Sequence, residues 1–481
     1  MNFIKISVLV FSFVVFIIGI WSYFKIKGKA VNYFKAGAMM PIWVVSISLI
    51  APSIDANGSI GAAARSSEYG FWAGACIPFG LAMCMFLLGR YFAESIWKMN
   101  IMTLPDFYGR RYSKLTEVLA TISMSVGGCI LLAGNLAGLA ILSVKIFGFD
   151  YELILIAIGI YVLVYSLTGG FITSLWTSIF QVAIFIFAIL LSFSWLTYNN
   201  GWNELMEAVP QEHKSLAGLM KIEMGALVNW AAIISLALGN IVALDLIQRI
   251  ISSESPQAAR KSCYLGGIMT LVVATPVSII GLYSFYFREE IGFSLLINIA
   301  TVHMPKGIGV LLILGIIAAS IAVASGILLA MSNAITRNLF QRFLKLSLDN
   351  ERLLRTSRLS AIPVMIISLI LAFYRPEPGT LLILAFDVIL AGCFVPFVYG
   401  IYWKQSNTAA AIAAILSGTL SRLMLYLVVP DNLIGVDTLL PPVISCVIFM
   451  LVAFFTQKTS PPKFHSIETP LTDDELISGK F

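Results

Sequence analysis

Two short strings break otherwise apolar sequence with residues able to hold an ion or a small polar molecule. The first reads Ile50-Ala51-Pro52-Ser53-Ile54-Asp55-Ala56-Asn57-Gly58-Ser59. Proline removes a backbone donor and glycine is permissive, so a helix falters there. A carboxylate such as Asp55 is costly at membrane depth and marks a functional position by default. Non-helical backbone at that depth is tolerated only where it faces protein or a water-filled cavity. The freed carbonyls and amides are then available to an ion or solute. The second string is Ala237-Leu238-Gly239-Asn240, followed by Asp245 and Gln248-Arg249. Each has a simpler explanation, with Gly239 allowing close helix packing and Asp55 capping a shorter helix. Their pairing at the spacing of a structural repeat favours transport.

Asp55 leaves several chemistries open. It can be a proton carrier, the counter-ion of a cationic solute, a direct sodium ligand, or a helix-end carboxylate facing the outer vestibule. Asp387, also within an apolar segment, is a second candidate for a cationic solute or a gating pair. Its simpler role is a buried hydrogen bond between helices, with Arg422 as partner unless that side chain snorkels outward. Asp245 and Arg249 are expected near the cytoplasmic end, as gate or loop contacts.

The elements that must position these residues are membrane helices. The chain has 481 residues, 59% hydrophobic and 12% charged, with a mean hydropathy of +0.91. Soluble domains carry about 25% charged residues, so lipid must be the solvent for much of this surface. A spanning helix needs about 20 apolar residues, and about thirteen segments qualify. They are 6–25, 41–62, 71–93, 115–143, 151–168, 173–197, 227–247, 263–286, 306–334, 358–374, 379–402, 408–429 and 436–456. The two interruptions fall in the second and seventh, five spans apart, as two inverted five-helix repeats would place them. The repeats are expected over about 41–197 and 227–402, in one transmembrane domain over 1–456. The first apolar run lacks a small-residue cleavage site and is expected to be retained.

Most of the 31 Lys and Arg fall in one set of alternate loops. The other set holds only Lys5, Arg65, Lys145, Lys214, Lys221, Arg288, Lys306 and Arg375. That asymmetry puts the N-terminus outside and the C-terminus in the cytoplasm. No single basic patch is formed, so nucleic acid is not an expected partner. Residues 457–481, with Pro461-Pro462 and Asp473-Asp474-Glu475, are expected to be a flexible cytoplasmic tail. The six cysteines are widely spaced and no C-x-x-C pair occurs. Together with three separated histidines they imply free thiols, no metal centre and no bound cofactor.

Several further strings carry a family resemblance over about residues 30 to 455. They are Leu104-Pro105-Asp106-Phe107, Thr168-Gly169-Gly170 with Trp176-Thr177 and Gln181, Gly239-Asn240-Ile241 with Asp245 and Gln248-Arg249, and Ala318-Ala319 through Ser332-Asn333-Ala334-Ile335-Thr336. In order and placement they resemble the sodium:solute symporter family. The resemblance implies an all-α, LeuT-like 5+5 inverted-repeat fold with discontinuous helices. It also implies coupling of uptake of a small polar or charged organic solute to an inward cation gradient by alternating access. By family position, sodium would lie against the backbone carbonyls of Ala51, Ile54 and Ala319, with hydroxyl ligands at Ala322 and Val323. These two have no hydroxyl, although sodium needs a cage of hard oxygens. Ser325, three positions after Ala322, is the expected partial substitute, whereas Ser320 is expected to point elsewhere. Solute-facing side chains by family position are Ser53, Asp55, Asn57 and Asn240.

Two more departures are Ser178, where the family has an aspartate, and Val242-Ala243-Leu244 in place of Pro-Trp-Gln. The missing aromatic removes one wall for a quaternary ammonium group. The alternatives to sodium symport are a proton-coupled or sodium-independent transporter, and a transporter-like sensor that would need a signalling partner. An enzyme is not expected, because no nucleophile–base arrangement and no phosphate loop are present.

Overall fold

The computed structural model describes residues 2–23, 39–346, 350–472 and 475. The side chains of 19–23, 168–174, 350, 431 and 465–466 also lie outside the description. Lys25, Lys27, Lys29, Lys35, Asp473, Asp474 and the Thr168-Gly169-Gly170 side chains are therefore outside the described residues.

The described chain is helical, with one isolated bridge between Met40 and Ser253. It opens with α1 (Asn2–Tyr23). The broken second span consists of α2 (Ile42–Leu49), α3 (Ala51–Ile54) and α4 (Ala56–Tyr69). Then come α5 (Phe71–Leu87), the short α6 (Leu104–Arg111), α7 (Lys114–Phe147) and α8 (Tyr151–Asn200). The expected spans at 151–168 and 173–197 both fall within α8, a single assigned helix. The second broken span runs from α9 (Ala226–Ile234) to α10 (Leu244–Ile251). It is followed by α11 (Pro256–Leu282), α12 (Lys306–Ala334), α13 (Asn350–Tyr374), α14 (Thr380–Ile389), α15 (Thr408–Val428) and α16 (Val436–Phe455).

Among the described residues, nine helices are long and apolar enough to cross a membrane, or ten with the bent pair at Ala226–Ile251. Three shorter apolar helices, Asn2–Ile18, Ile42–Ile54 and Tyr151–Leu167, lie at three further expected positions. The count of thirteen is thus not established by length and apolarity alone. Large apolar side chains such as Leu427, Val428, Phe454 and Phe455 stand exposed around the bundle. Covering them with lipid removes that surface from water.

Local signals start and stop these helices. Ser113, Ser255 and Asn407 accept backbone N–H bonds at the first turns of α7, α11 and α15, and Gly148 ends α7 in the left-handed region. The first helix is tied to the bundle: Tyr161 Oη donates to the Ser12 carbonyl at 2.8 Å, and Lys5 Nζ to that of Phe147 at 3.3 Å.

The broken spans are clipped together at one end. Met40 N donates to the Ser252 carbonyl at 2.9 Å and Glu254 N to that of Met40 at 3.0 Å. Further along, α4 meets the start of α14 almost backbone to backbone. A Cβ on Gly61 would lie 2.5 Å from Gly379 Cα, and Gly379 itself has φ +82°. Overpacking of a rigid contact costs about 1–3 kcal/mol. Gly61→Ala is therefore expected to lower the melting temperature of the purified protein. An unchanged melting curve would show that this contact yields freely.

Parts of the segment beyond Gln457 are held to the body, where a free tail was expected. Leu471 N donates to the Met99 carbonyl at 3.4 Å, Asn100 Nδ2 to that of Leu471 at 2.6 Å, and Arg110 Nη2 to that of Thr469 at 2.6 Å. The side chains of Ile467 and Leu471 are buried. Apolar residues every few positions in a polar stretch supply anchors that mean composition hides.

Candidate functional site

Asp55 builds the first break. Pro52 sits in the first turn of α3, where its missing N–H is least missed. Asp55 then turns extended (φ −68°, ψ 179°) and restarts the helix, its Oδ1 accepting from Gly58 N at 2.7 Å. The side chain is fully buried, and no described protein group donates to Oδ2. Capping thus occupies one carboxylate oxygen and leaves the other for something else. Ser53 and Ser59 turn back on the break, donating to the carbonyls of Ile50 at 2.6 Å and Ile54 at 2.7 Å.

Asn57, expected to face the solute, is engaged by two backbone groups distant in sequence. Its Nδ2 donates to the Leu131 carbonyl at 3.3 Å and its Oδ1 accepts from Gly379 N at 2.7 Å. A Cβ on Gly134 would press within 2.6 Å of its amide. The side chain joins α4 to α7 and to the start of α14.

The second break lies a few residues beyond Gly239. A π-helical turn at Ser235–Gly239 leads into a tight turn at Asn240–Val242. Ala243 is extended (φ −75°, ψ 135°) and the helix axis bends by 52° into α10. Gly239 serves close packing instead, since a Cβ there would lie 2.4 Å from the Phe386 carbonyl. Asn240 is buried within the turn.

Asp245 and Arg249, expected near the cytoplasmic end as gate or loop contacts, are both buried on α10. Asp245 lies in the first turn of α10 and lines a cavity of about 10 Å³ with Gly128, Leu131, Ile327 and Phe386. Its carboxylate acts electrostatically on Asp55 across the break and on Arg249 one turn away. Arg249 Nη1 donates to the Ser48 carbonyl at 3.0 Å, pinning α10 to α2. Small-molecule pockets run to about 300–1,000 Å³. This cavity is far smaller than that.

Around the cation position, α3 packs on α12. Ala51, Ile54, Ala319, Ala322 and Val323 are all fully buried, and none has a side-chain oxygen. Ser325 donates to its own helix, to the Ala322 carbonyl at 3.0 Å. Ser320, expected to point elsewhere, faces the break: its hydroxyl accepts from Ala56 N at 2.7 Å. Both α3 and α4 pack on α12, and which of its residues meets the break is not encoded in spacing along α12 alone. A residue not anticipated, Asn135 of α7, donates from Nδ2 to the Ser320 carbonyl at 2.9 Å. An amide in the middle of an apolar helix is itself a signal of a functional or bridging position.

Asp387 is a helix lock. Its Oδ2 accepts from Arg422 Nη2 at 3.0 Å and Thr438 Oγ1 at 2.9 Å, while Arg422 Nη1 pairs with Asp437 Oδ2 at 2.9 Å. The four residues tie α14, α15 and α16 together.

Two discontinuous helices, one turning extended at Asp55 and the other at Ala243, inside a bundle of apolar helices, are the arrangement of a LeuT-like 5+5 membrane transporter. The sodium:solute symporter family model matches residues 33–418, and the chain belongs to that family. It is 23% identical to the sodium/glucose cotransporter of Vibrio parahaemolyticus, over 98% of this chain and 92% of that protein. With the sodium/proline symporter of Salmonella typhimurium it shares 26% identity over 72% of this chain and 73% of the other. A solved Na+-coupled sialic acid symporter superposes with a TM-score of 0.78 at 16% identity, covering 94% of this chain and 98% of that one. The protein is an integral membrane protein and a cation-coupled secondary active transporter of the sodium symporter class.

Proposed function

We propose that this chain accumulates a small polar or charged organic solute by sodium-driven alternating access, with the solute held where the two breaks meet. The observation that carries the reading is the buried Asp55 carboxylate, half used as a helix cap and half without a donor, at the break of one of two discontinuous helices. Asp55, Ser53 and Asn240 are the groups nearest the solute in this reading. Asp245 and Arg249 of α10 couple the breaks to the inner gate in this reading, because Arg249 pins α10 to α2 through the Ser48 carbonyl. The water-sized cavity beside Asp245 supports gating, since entry and exit each need these walls to part.

Repeats over about 41–197 and 227–402 would rock against each other about this point. The N-terminus is placed outside and the C-terminus in the cytoplasm of a bacterial inner membrane. The loop charges support that orientation. The similar proteins named for glucose, proline and sialic acid all take small polar organic solutes, which supports the solute class. No chemistry on the solute is part of this reading, and no resident cofactor is needed.

One observation favours a second reading, in which protons drive transport through Asp55: Ala322 and Val323 place no hydroxyl at the family's sodium position. Uptake by purified protein in liposomes separates the two. Sugars, amino acids, sialic acid and quaternary amines are presented with an inward sodium gradient or an inward proton gradient. Accumulation that needs sodium and collapses with a sodium ionophore is expected. Accumulation following the proton gradient alone would move the reading to proton coupling, and saturable binding without accumulation would indicate a sensor.

A further inference from the structure

We infer that residues 464–472 form a clasp that holds the clipped end of the two broken spans closed and must let go before that end opens. The inference rests on the alternating-access reading and adds to it a control element within this chain.

The clipped end is held from two sides just past the end of α10. The Ser252 carbonyl accepts from Met40 N at 2.9 Å, on the lead-in to α2. The next carbonyl, that of Ser253, accepts from Trp97 Nε1 at 2.7 Å. Trp97 belongs to a short helical segment, Ala93–Lys98, that packs on α10 and α11. For α10 to swing away from this segment, the indole must release Ser253.

The clasp grips the residues that follow this indole. Asn100, three positions on, turns left-handed (φ +51°), a conformation asparagine tolerates better than most residues. Its Nδ2 donates to the Leu471 carbonyl at 2.6 Å, while Leu471 N donates back to the Met99 carbonyl at 3.4 Å. Arg110 bridges the two segments, donating from Nη1 to the Met99 carbonyl at 3.2 Å and from Nη2 to that of Thr469 at 2.6 Å. The turn Phe464–Ile467 packs on α6, with the Arg111 guanidinium carbon 5.3 Å from the centre of the Phe464 ring. While these contacts stand, the chain just after Trp97 is fixed and the indole stays on Ser253.

Its build is that of a part that lets go. Ile467 and Leu471 are its buried anchors, whereas Glu468, Thr469, Pro470 and Thr472 are exposed. Beyond the turn at Phe464–Ile467, residues 468–472 form no helix or strand. Segments with few buried contacts open locally at low free energy, without unfolding the body. A contact made only in the closed arrangement shifts the population toward it. The docked clasp thus favours the closed end, and its release favours opening.

The test is hydrogen–deuterium exchange of the full-length protein in lipid nanodiscs, read by mass spectrometry. Leu471→Asp drives a charge into a buried anchor position and should undock the segment. Asn100→Gly keeps the left-handed backbone and removes the amide. Both should speed exchange of peptides over 464–472. Both should also speed peptides over α2 and α10 by about tenfold, the equivalent of about 1.4 kcal/mol of closing free energy. Peptides over α15 and α16 should be unchanged. If Leu471→Asp speeds those as well, the body has loosened and Asn100→Gly alone decides. A released segment with α2 and α10 exchanging as in wild type would overturn the clasp, as would exchange over 464–472 that neither variant changes. Exchange needs neither solute nor gradient, so its failure leaves the uptake measurement in liposomes to judge the transport reading separately.

Discussion

Asp55→Asn is expected to abolish sodium-driven uptake while the protein still folds and inserts. The two oxygens of Asp55 make the prediction sharp. Oδ1 caps α4 through Gly58 N, and asparagine caps a helix about as well as aspartate. The break therefore survives the substitution. What disappears is the negative charge behind Oδ2, to which no described protein group donates. A contact to a charged group contributes about 1.5–3 kcal/mol, so cation affinity should fall by roughly 10- to 150-fold. Uptake at limiting sodium should fall at least as much, and initial rates over a sodium titration will read it. Asp55→Ala should add the loss of the cap, about 0.5–2 kcal/mol of stability, and is expected to express poorly. Wild-type accumulation by Asp55→Asn would remove the carboxylate from the mechanism, whether its role is with sodium, proton or solute.

The second large effect is expected at the opposite end of α12, where the helix runs through a π-helical segment, Ile335–Phe343. Arg342 Nε lies 2.6 Å from Glu117 Oε1, and both side chains are buried. Asn338 donates to Glu117 at 2.7 Å and to Asp106 at 2.8 Å, and its own oxygen accepts from Thr103 at 2.7 Å. Asp106 Oδ2 accepts from the amides of Met102 and Thr103. The Leu104-Pro105-Asp106-Phe107 string is thereby explained as a capped turn that docks α6 and the start of α7 against the end of α12.

Removing one partner of a buried ion pair costs about 3–5 kcal/mol, because the other charge is left in a poor solvent. Arg342→Met is expected to lose that much, seen as aggregation on mild heating in detergent. Replacing both, as Glu117→Leu with Arg342→Met, should recover a large part of the loss, since an apolar pair of similar volume is often neutral. If the double variant were as unstable as the single one, the hydrogen bonds around Asn338 would hold this end of α12 more than the ion pair does.

Much of the site was legible from residue types alone. A proline, an acid and a glycine within an apolar run require a broken helix, and Asp55 is indeed where the chain turns extended. The second interruption, read at Ala237-Leu238-Gly239-Asn240, is covered by the π-helical and tight turns, although the missing Cβ of Gly239 serves contact with Phe386. The turn falls at Ala243, a residue whose type says nothing about breaking. Asn57 and Asn240 read alike, yet Asn57 is consumed by Leu131 and Gly379, which are distant in sequence. No local pattern encodes that.

The sequence by itself determined that lipid is the solvent, that the chain is a bundle of apolar helices, where one of them must break, and which family's strings the chain carries. These follow from local hydropathy, backbone freedom and spacing, which act over a few residues at a time. Only the tertiary structure decided which polar atoms find partners. Asp387 meets Arg422 and becomes a lock, Asp245 lines a small cavity, and Ser320 turns to Ala56. Asn135 reaches the break from a separate helix. Whether a buried oxygen is satisfied depends on donors brought in from hundreds of residues away, and packing of the whole bundle selects them.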